Sequence, residues 1–272
     1  MQRCVDSIPE REDIQIIVVD DNSNDLNKPQ LDRKDVVVVW LNSEQSNGAG
    51  RARNVGFQHA KGRWVLFADA DDYYDNMFIE TLDLYKDFES DVVYFSFNLI
   101  SSDMKCSLPL YHEWISYAKS DQEFREKVKF LHHAPWNKMV KRNFIIEKCI
   151  EFEETINGND IFYTFQVGWY SNNAIFLEDS LYNYVSSPNS VSDIRAMNRD
   201  ALLCKLKHVV QSNVFKKRIG HSDWKIPILL YFFALWKSKG FVVFIKTIYL
   251  YVRYYVVIKK DKNKFVEFIC DN

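Results

Sequence analysis

The sequence predicts an open α/β sheet followed by a helical, basic appendage, on three observations. Continuously apolar runs rich in β-branched and aromatic residues recur at Ile14–Val19, Val36–Leu41 and Trp64–Ala68, the pattern of strands covered on both faces. A helical stretch lies between the second and third runs, and such β-α-β succession builds open sheets. Charge divides along the chain: residues 1–200 carry 21 Lys/Arg against 33 Asp/Glu, and residues 201–264 carry 14 against 2. The net charge of −2 over 272 residues is therefore a cancellation between an acidic body and a basic tail.

Ile14–Val19 forms the first strand and runs into Asp20-Asp21-Asn22-Ser23; Val36–Leu41 forms the second. Gly50 to Ala60, closed by Lys61-Gly62, is a helix with a glycine stop. Trp64–Ala68 is a third strand and runs into Asp69-Ala70-Asp71-Asp72. Met77 to Phe88 is helical by periodicity, and Asp91–Phe97 begins another strand. From about 104 to 190 the pattern is less regular, with a helix near Asp121–His132, the segment Pro135-Trp136-Asn137-Lys138, and Glu151 to Tyr170 broken by a turn at Asn157-Gly158. From about 198 the chain is helical, with an apolar run of 11 residues, Ile226–Trp236, and one of 18, Phe241–Ile258, interrupted by Lys246, Thr247 and Arg253. No internal repeat is visible.

Composition removes several classes. A hydrophobic content of 47% excludes disorder as the main state, and the near-neutral total gives no bulk attraction to nucleic acid. The five cysteines are scattered without a Cys-x-x-Cys pair, so neither a zinc site nor a disulfide framework is expected. Reduced thiols in the cytoplasm fit that pattern. Met1–Ser7 lacks the apolar run of a signal peptide, so export by that route is not expected.

Both acidic clusters directly follow apolar strands. In an open α/β sheet the carboxyl ends of strands border the ligand crevice, so Asp20, Asp21, Asp69, Asp71 and Asp72 are expected to converge there. Gathered carboxylates repel one another without a cation. A Mg²⁺ or Mn²⁺ held through one or two of them, with a substrate diphosphate completing its shell, is the economical arrangement. The competing reading is a solvated turn or a helix N-cap, which Asp, Asn and Ser also favour. An EF-hand loop starting at Asp69 is disfavoured, because its sixth position is Tyr74 where glycine is needed.

Three segments, Ile16–Asp25, Asn47–Gly56 and Trp64–Asp72, together resemble the family 2 glycosyltransferases with the GT-A fold. Pro135-Trp136-Asn137-Lys138-Met139-Val140-Lys141-Arg142, Leu181-Tyr182-Asn183-Tyr184 and Ser190-Val191-Ser192 extend the resemblance, so residues 1–195 form the expected GT-A domain and 196–272 the helical tail. The resemblance implies that Asp21, beside Asp20, accepts a hydrogen bond from the base of a nucleotide sugar and that Arg53 holds the nucleotide side. It makes Asp69-Ala70-Asp71 the DXD motif, with Asp71 on the metal, Asp69 toward the ribose and Asp72 in support. An inverting transfer needs a general base opposite the leaving group. Asp160 aligns with that base, and Asn159 stands where the family has a glutamate; Glu153 and Glu154 are fallback candidates. A helix N-cap is the competing reading of Asp160. His132-His133 are expected at the surface or in the cleft, and Cys149 and Cys204 as packing residues.

Lys246 and Arg253, seven residues apart, share one side of a helix that is otherwise apolar and aromatic. Such a helix, with Lys259-Lys260-Asp261-Lys262-Asn263-Lys264 after it, suits the surface of an anionic membrane better than a span. The alternatives are a helical subdomain on the catalytic body and a homodimer interface. The family also has an earlier strand, and Met1–Ile8 looks like the helix that follows it, so the domain is expected to lack its opening strand. The expected function is an inverting transfer from a nucleotide-diphosphate sugar, UDP-linked, to a saccharide or lipid-linked acceptor in cell-surface polysaccharide synthesis, at the cytoplasmic face of the plasma membrane. The alternative is an inactive, glycosyltransferase-like partner protein at the membrane.

Overall fold

The computed structural model describes residues 1–24, 31, 33–44, 48–101, 109–155, 157–186 and 199–224, together with 241, 244, 245, 248, 249 and 252. The chain divides into two units, Met1–Thr155 with Asn159–Pro188, and Ile156–Gly158 with Asn189–Asn272.

The first unit opens with helix α1 (Gln2–Asp6) and two parallel strands, β1 (Ile16–Asp21) and β2 (Val36–Leu41), in register from Ile16 opposite Val36 to Asp21 opposite Leu41. Ile16 and Val18 of β1 bury against Val5 of α1. The opposite face of β1 meets helix α2 (Gly48–His59), where a Cβ on Gly56 would lie 3.3 Å from Val19 Cγ2.

Next come β3 (Trp64–Leu66), β4 (Tyr73–Tyr74), α3 (Phe78–Asp83), β5 (Val92–Ser101), α4 (Pro109–Tyr117), α5 (Gln122–Leu131), β6 (Lys138–Lys141), α6 (Arg142–Glu147), α7 (Asn159–Tyr170) and β7 (Ala174–Ser186). Strands β3 to β7 form a mixed sheet in the order β3-β6-β5-β7-β4, with β5 and β7 parallel and the other pairs antiparallel. The expected open sheet is thus two sheets, since no ladder joins β1 to β3 among the described residues. The α/β class holds.

The core is centred on β5, where Val92, Val93, Tyr94, Phe95 and Phe97 have no exposed surface. Tyr111 and Ile115 of α4, Ala118 just after it, Val128 of α5 and Tyr163 and Val167 of α7 cover it. Each buried valine, isoleucine and phenylalanine among them stabilises by about 1.5–3 kcal/mol relative to exposure, which anchors α7 and the loops at the sheet's rim. Asp121 caps α5, its carboxylate accepting from the amides of Glu123 and Phe124.

In the second unit, helix α8 (Arg199–Arg218) is followed by a short 3-10 turn, Ser222–Trp224. Gly158 adopts φ +70°, and a Cβ there would come within 2.4 Å of His208 Nδ1, so both backbone and packing select glycine. The Cys204 thiol donates to the Asn157 carbonyl at 3.1 Å. The expected membrane-surface segment, 226–264, lies almost wholly outside the described residues. Residues 241, 244, 245, 248, 249 and 252 within it are helical, with Phe241, Ile245, Tyr249 and Val252 exposed. Among the described residues no helix is long and apolar enough to cross a membrane.

Candidate active site

The first acidic cluster forms a turn whose conformation explains its composition. Asp20 Oδ2 accepts from the Ser23 amide at 2.9 Å, and Asn22 sits at φ 62°, a left-handed position that asparagine tolerates. Asp20 is buried and borders a hollow of about 470 Å³ at the carboxyl ends of β1 and β2, lined also by Asn22, Ser23, Asn24, Trp40, Leu41 and Asn42. Asp21 Oδ2 accepts from the Gly48 amide at 3.0 Å. Its negative charge thereby meets the N-terminus of α2, where the helix dipole favours it.

Helix α2 connects the remaining parts. Gly50, Arg53, Asn54 and Phe57 fall at the i, i+3, i+4, i+7 spacing of a single face. That face abuts Phe152, Glu153 and Asn159: a Cβ on Gly50 would lie 2.1 Å from the Glu153 carbonyl oxygen and 2.9 Å from Asn159 Cβ, so only glycine permits the approach. Asn54 locks it from both sides of its amide, donating to the Phe152 carbonyl at 3.0 Å and accepting from the Phe152 amide at 3.0 Å. Arg51 pairs with Glu154 at 3.1 Å at the rim.

Arg53 reaches two elements at once. One guanidinium nitrogen donates to Asp69 Oδ1 at 2.6 Å and the other to Asn159 Oδ1 at 2.7 Å. The group lies over the Phe152 ring at 5.3 Å, and Phe152 stacks on Tyr163 at 4.0 Å with Phe67 against both. An apolar floor thus carries the guanidinium, which strengthens its pairing. Asn159 offers Arg53 a neutral amide oxygen and Asp69 a carboxylate.

The second acidic cluster is a closed turn, the Asp72 amide donating to the Asp69 carbonyl at 3.1 Å. Its members face different surroundings. Asp69 is partly exposed and paired with Arg53. Asp71 is exposed, and its carbonyl accepts from Arg3 of α1 at 2.5 Å. Asp72 is buried at 1% exposure, accepting from the Val185 amide at 2.7 Å and the Tyr182 hydroxyl at 2.9 Å. Burial raises its pKa to about 6, against the pull of those two donors.

Among the described residues no group of three or more His, Cys, Asp or Glu converges to hold a metal ion. The donor set still fits Mg²⁺ or Mn²⁺, since these ions are held by one or two carboxylates plus substrate phosphate oxygens. Asp71 is the exposed carboxylate of the turn, while Asp69 is neutralised by Arg53.

Asp160 lies in the first turn of α7, half-buried, directly after Asn159. It bears on Lys138 of β6, a lysine with no exposed surface whose pKa burial lowers to about 7, with the Asp160 charge opposing. The Lys138 ammonium donates to the Ala134 carbonyl.

One sequence expectation is sharpened and another corrected. His132 is wedged among Phe97, Tyr111 and Trp136, with ring centroids 5.1, 4.5 and 5.6 Å away, and burial drives its pKa down to about 3. Its ring is packed among aromatics and held neutral, while the residue as a whole is half-buried just past the helix end at Leu131. Cys149 is exposed at φ 49°, in a turn instead of a packed interior. Sequence reasoning also missed the roles of Asn54, Tyr182 and Arg3. The α2 face spacing was the available signal for Asn54; the other two join residues 113 and 68 apart in the chain and carry no local pattern.

Solved structures with this fold are GT-A glycosyltransferases: S. aureus TarS 1–349 in complex with UDP-GlcNAc superimposes with a TM-score of 0.56 at 16% identity, over 78% of this chain and 65% of that one. Residues 1–147 match the profile of Glycosyl transferase family 2, and the chain belongs to that family. Relatives include the glycosyltransferase GlyA of Streptococcus pneumoniae serotype 4, 26% identical over 211 residues, 71% of this chain and 30% of GlyA. Another is EpsJ of Bacillus subtilis, described as an uncharacterized glycosyltransferase, 25% identical over 206 residues, 71% of this chain and 59% of EpsJ. The chain spans less than two thirds of the length of each of these proteins.

Proposed function

We propose that the protein is an inverting, metal-dependent glycosyltransferase that moves a sugar from a UDP-linked donor to a saccharide or lipid-linked acceptor in cell-surface polysaccharide synthesis. The observation that carries this reading is the double bridge of Arg53 to Asp69 and Asn159, which joins the turn after β3 to the start of the helix bearing Asp160.

Asp21 and the hollow beside Asp20 supply acceptors for the donor's base, and Asp69, steered by Arg53, faces the ribose. Asp71 would hold the Mg²⁺ or Mn²⁺, which stabilises the charge developing on the leaving diphosphate. Asp160 takes the proton of the acceptor hydroxyl as its oxygen attacks the anomeric carbon from the face opposite the diphosphate. The bound UDP-GlcNAc of the TarS complex supports a nucleotide-sugar donor by analogy of fold.

The basic, aromatic segment 226–264 supports attachment to an anionic membrane from the cytoplasmic side, which would bring the site to a lipid-linked acceptor. Cosedimentation with phosphatidylglycerol vesicles checks this: binding lost in high salt supports it, and no binding at low salt contradicts it. Donor turnover, measured as UDP release from a panel of UDP-sugars with Mn²⁺, tests the reading as a whole. Release with one donor and its loss in Asp160→Asn support it; absence of release with every donor favours the inactive-partner alternative.

A further inference from the structure

Besides Arg3 and Arg53, strand β7 holds the turn Asp69–Asp72 at several points. The Tyr182 oxygen accepts from the Asp69 amide at 3.0 Å, and its hydroxyl proton is donated to Asp72 Oδ2 at 2.9 Å. Asp72 Oδ1 takes the Val185 amide at 2.7 Å, and the Leu181 carbonyl takes the Asp75 amide at 3.0 Å. Tyr182 and Asn183 of β7 also pair with Tyr74 and Tyr73 of β4, so β7 lines the turn from its first residue to its last.

Tyr182 is itself immobilised. It has no exposed surface, stacks on Trp136 at 4.6 Å and 11°, and meets Tyr74 edge-on at 5.2 Å. Packing of that kind fixes the ring in one rotamer and leaves the hydroxyl as its single polar atom. One hydroxyl acts as donor and acceptor to two residues of the same turn, a service that phenylalanine cannot perform.

From these contacts the geometry points to Tyr182 as a positioning residue: through Asp72 and the Asp69 amide it sets the direction in which Asp71 presents its carboxylate to a divalent cation. This rests on the proposed function, in which Asp71 holds that cation beside the UDP diphosphate. Neither Tyr182 nor buried Asp72 touches the ion or the nucleotide in this account.

The test is calorimetric titration of the full chain with UDP, with and without Mn²⁺, for wild type, Tyr182→Phe, Asp72→Asn and the double variant, each shown to be folded by circular dichroism. The expected result is that Mn²⁺ tightens UDP binding in wild type and that this gain falls at least about tenfold in Tyr182→Phe, since the hydroxyl's bonds to both Asp69 and Asp72 are lost. Metal-free UDP affinity stays within twofold, raising Mn²⁺ restores binding, and the double variant loses less than the two single losses combined because they share the Tyr182–Asp72 bond. A wild-type metal gain in Tyr182→Phe overturns the inference and leaves the proposed function intact. So does an equal loss with and without metal, which marks general damage. A wild type without any metal gain overturns the proposed function, and the inference with it.

Discussion

Arg53 lies 2.6 Å from Asp69 and turns its second guanidinium nitrogen to Asn159 at 2.7 Å, so a single side chain of α2 fixes both the turn after β3 and the start of α7. Lysine has a charge but no planar fork. Arg53→Lys is therefore expected to lower UDP affinity and transfer by about tenfold, and Arg53→Ala by more, because both bridges of a guanidinium at 15% side-chain exposure are then lost. Urea unfolding should show a loss of about 1–3 kcal/mol for Arg53→Ala, from the partners left unpaired.

Gly50 and Gly56 make a contrasting pair on the same helix. A Cβ at Gly50 would lie 2.1 Å from a carbonyl oxygen of the backbone, which cannot rotate away, whereas one at Gly56 would sit 3.3 Å from a valine methyl. Gly50→Ala is expected to cost about 1–3 kcal/mol by overpacking and to reduce transfer by displacing Arg53. Gly56→Ala should be near neutral, since alanine regains up to about 1 kcal/mol of helix propensity. Thermal melts of the two variants check the ranking.

Much of the first third was legible in the sequence, because there each strand is one uninterrupted apolar run and each acidic cluster closes a strand. Val36–Leu41 is strand β2 as expected, and the helix predicted over 50–60 is Gly48–His59. The helix predicted to Phe88 stops at Asp83, where the chain continues as overlapping tight turns that leave Leu84 exposed. Strand β7, the thirteen residues Ala174–Ser186, was not predicted, and Leu181–Tyr184 entered only through the family resemblance: its pairing partners β5 and β4 are remote in sequence, and Glu178-Asp179-Ser180 interrupts its apolar pattern. Asp72 illustrates what a motif conceals. Adjacent to exposed Asp71 in sequence, it points inward to Tyr182, a distinction set by partners more than a hundred residues away.

Asp72 also predicts a pH signature. Its native pKa of about 6 lies above the ordinary carboxylate value of 3.8, so between about pH 4 and 6 the native state keeps a proton that the unfolded chain has released. This group makes the fold less stable as pH rises through that window, with no further change above it. The paired surface carboxylates Asp13, Asp35, Asp83 and Glu89 have lowered pKa values and act in the opposite sense, losing their stabilisation as pH falls. They are common to wild type and Asp72→Asn, so the difference in unfolding free energy between the two should vary across pH 4–6 and be flat from pH 7 to 8.

Asp160→Asn separates chemistry from binding. The side chain keeps its size and its place in the first turn of α7 but loses basicity. Transfer should fall by about 10²–10⁴-fold, with UDP affinity in the presence of Mn²⁺ within twofold of wild type. A parallel loss of UDP binding would assign Asp160 to the donor site instead.

The most direct test of the central claim, that the turn after β3 presents Asp71 to a metal-bound nucleotide diphosphate, is calorimetric titration of wild type and Asp71→Ala with UDP in the presence and absence of Mn²⁺. The account predicts that Mn²⁺ tightens binding to wild type and has no effect on Asp71→Ala. Binding that ignores the metal in wild type, or a metal-dependent gain that survives Asp71→Ala, would contradict it.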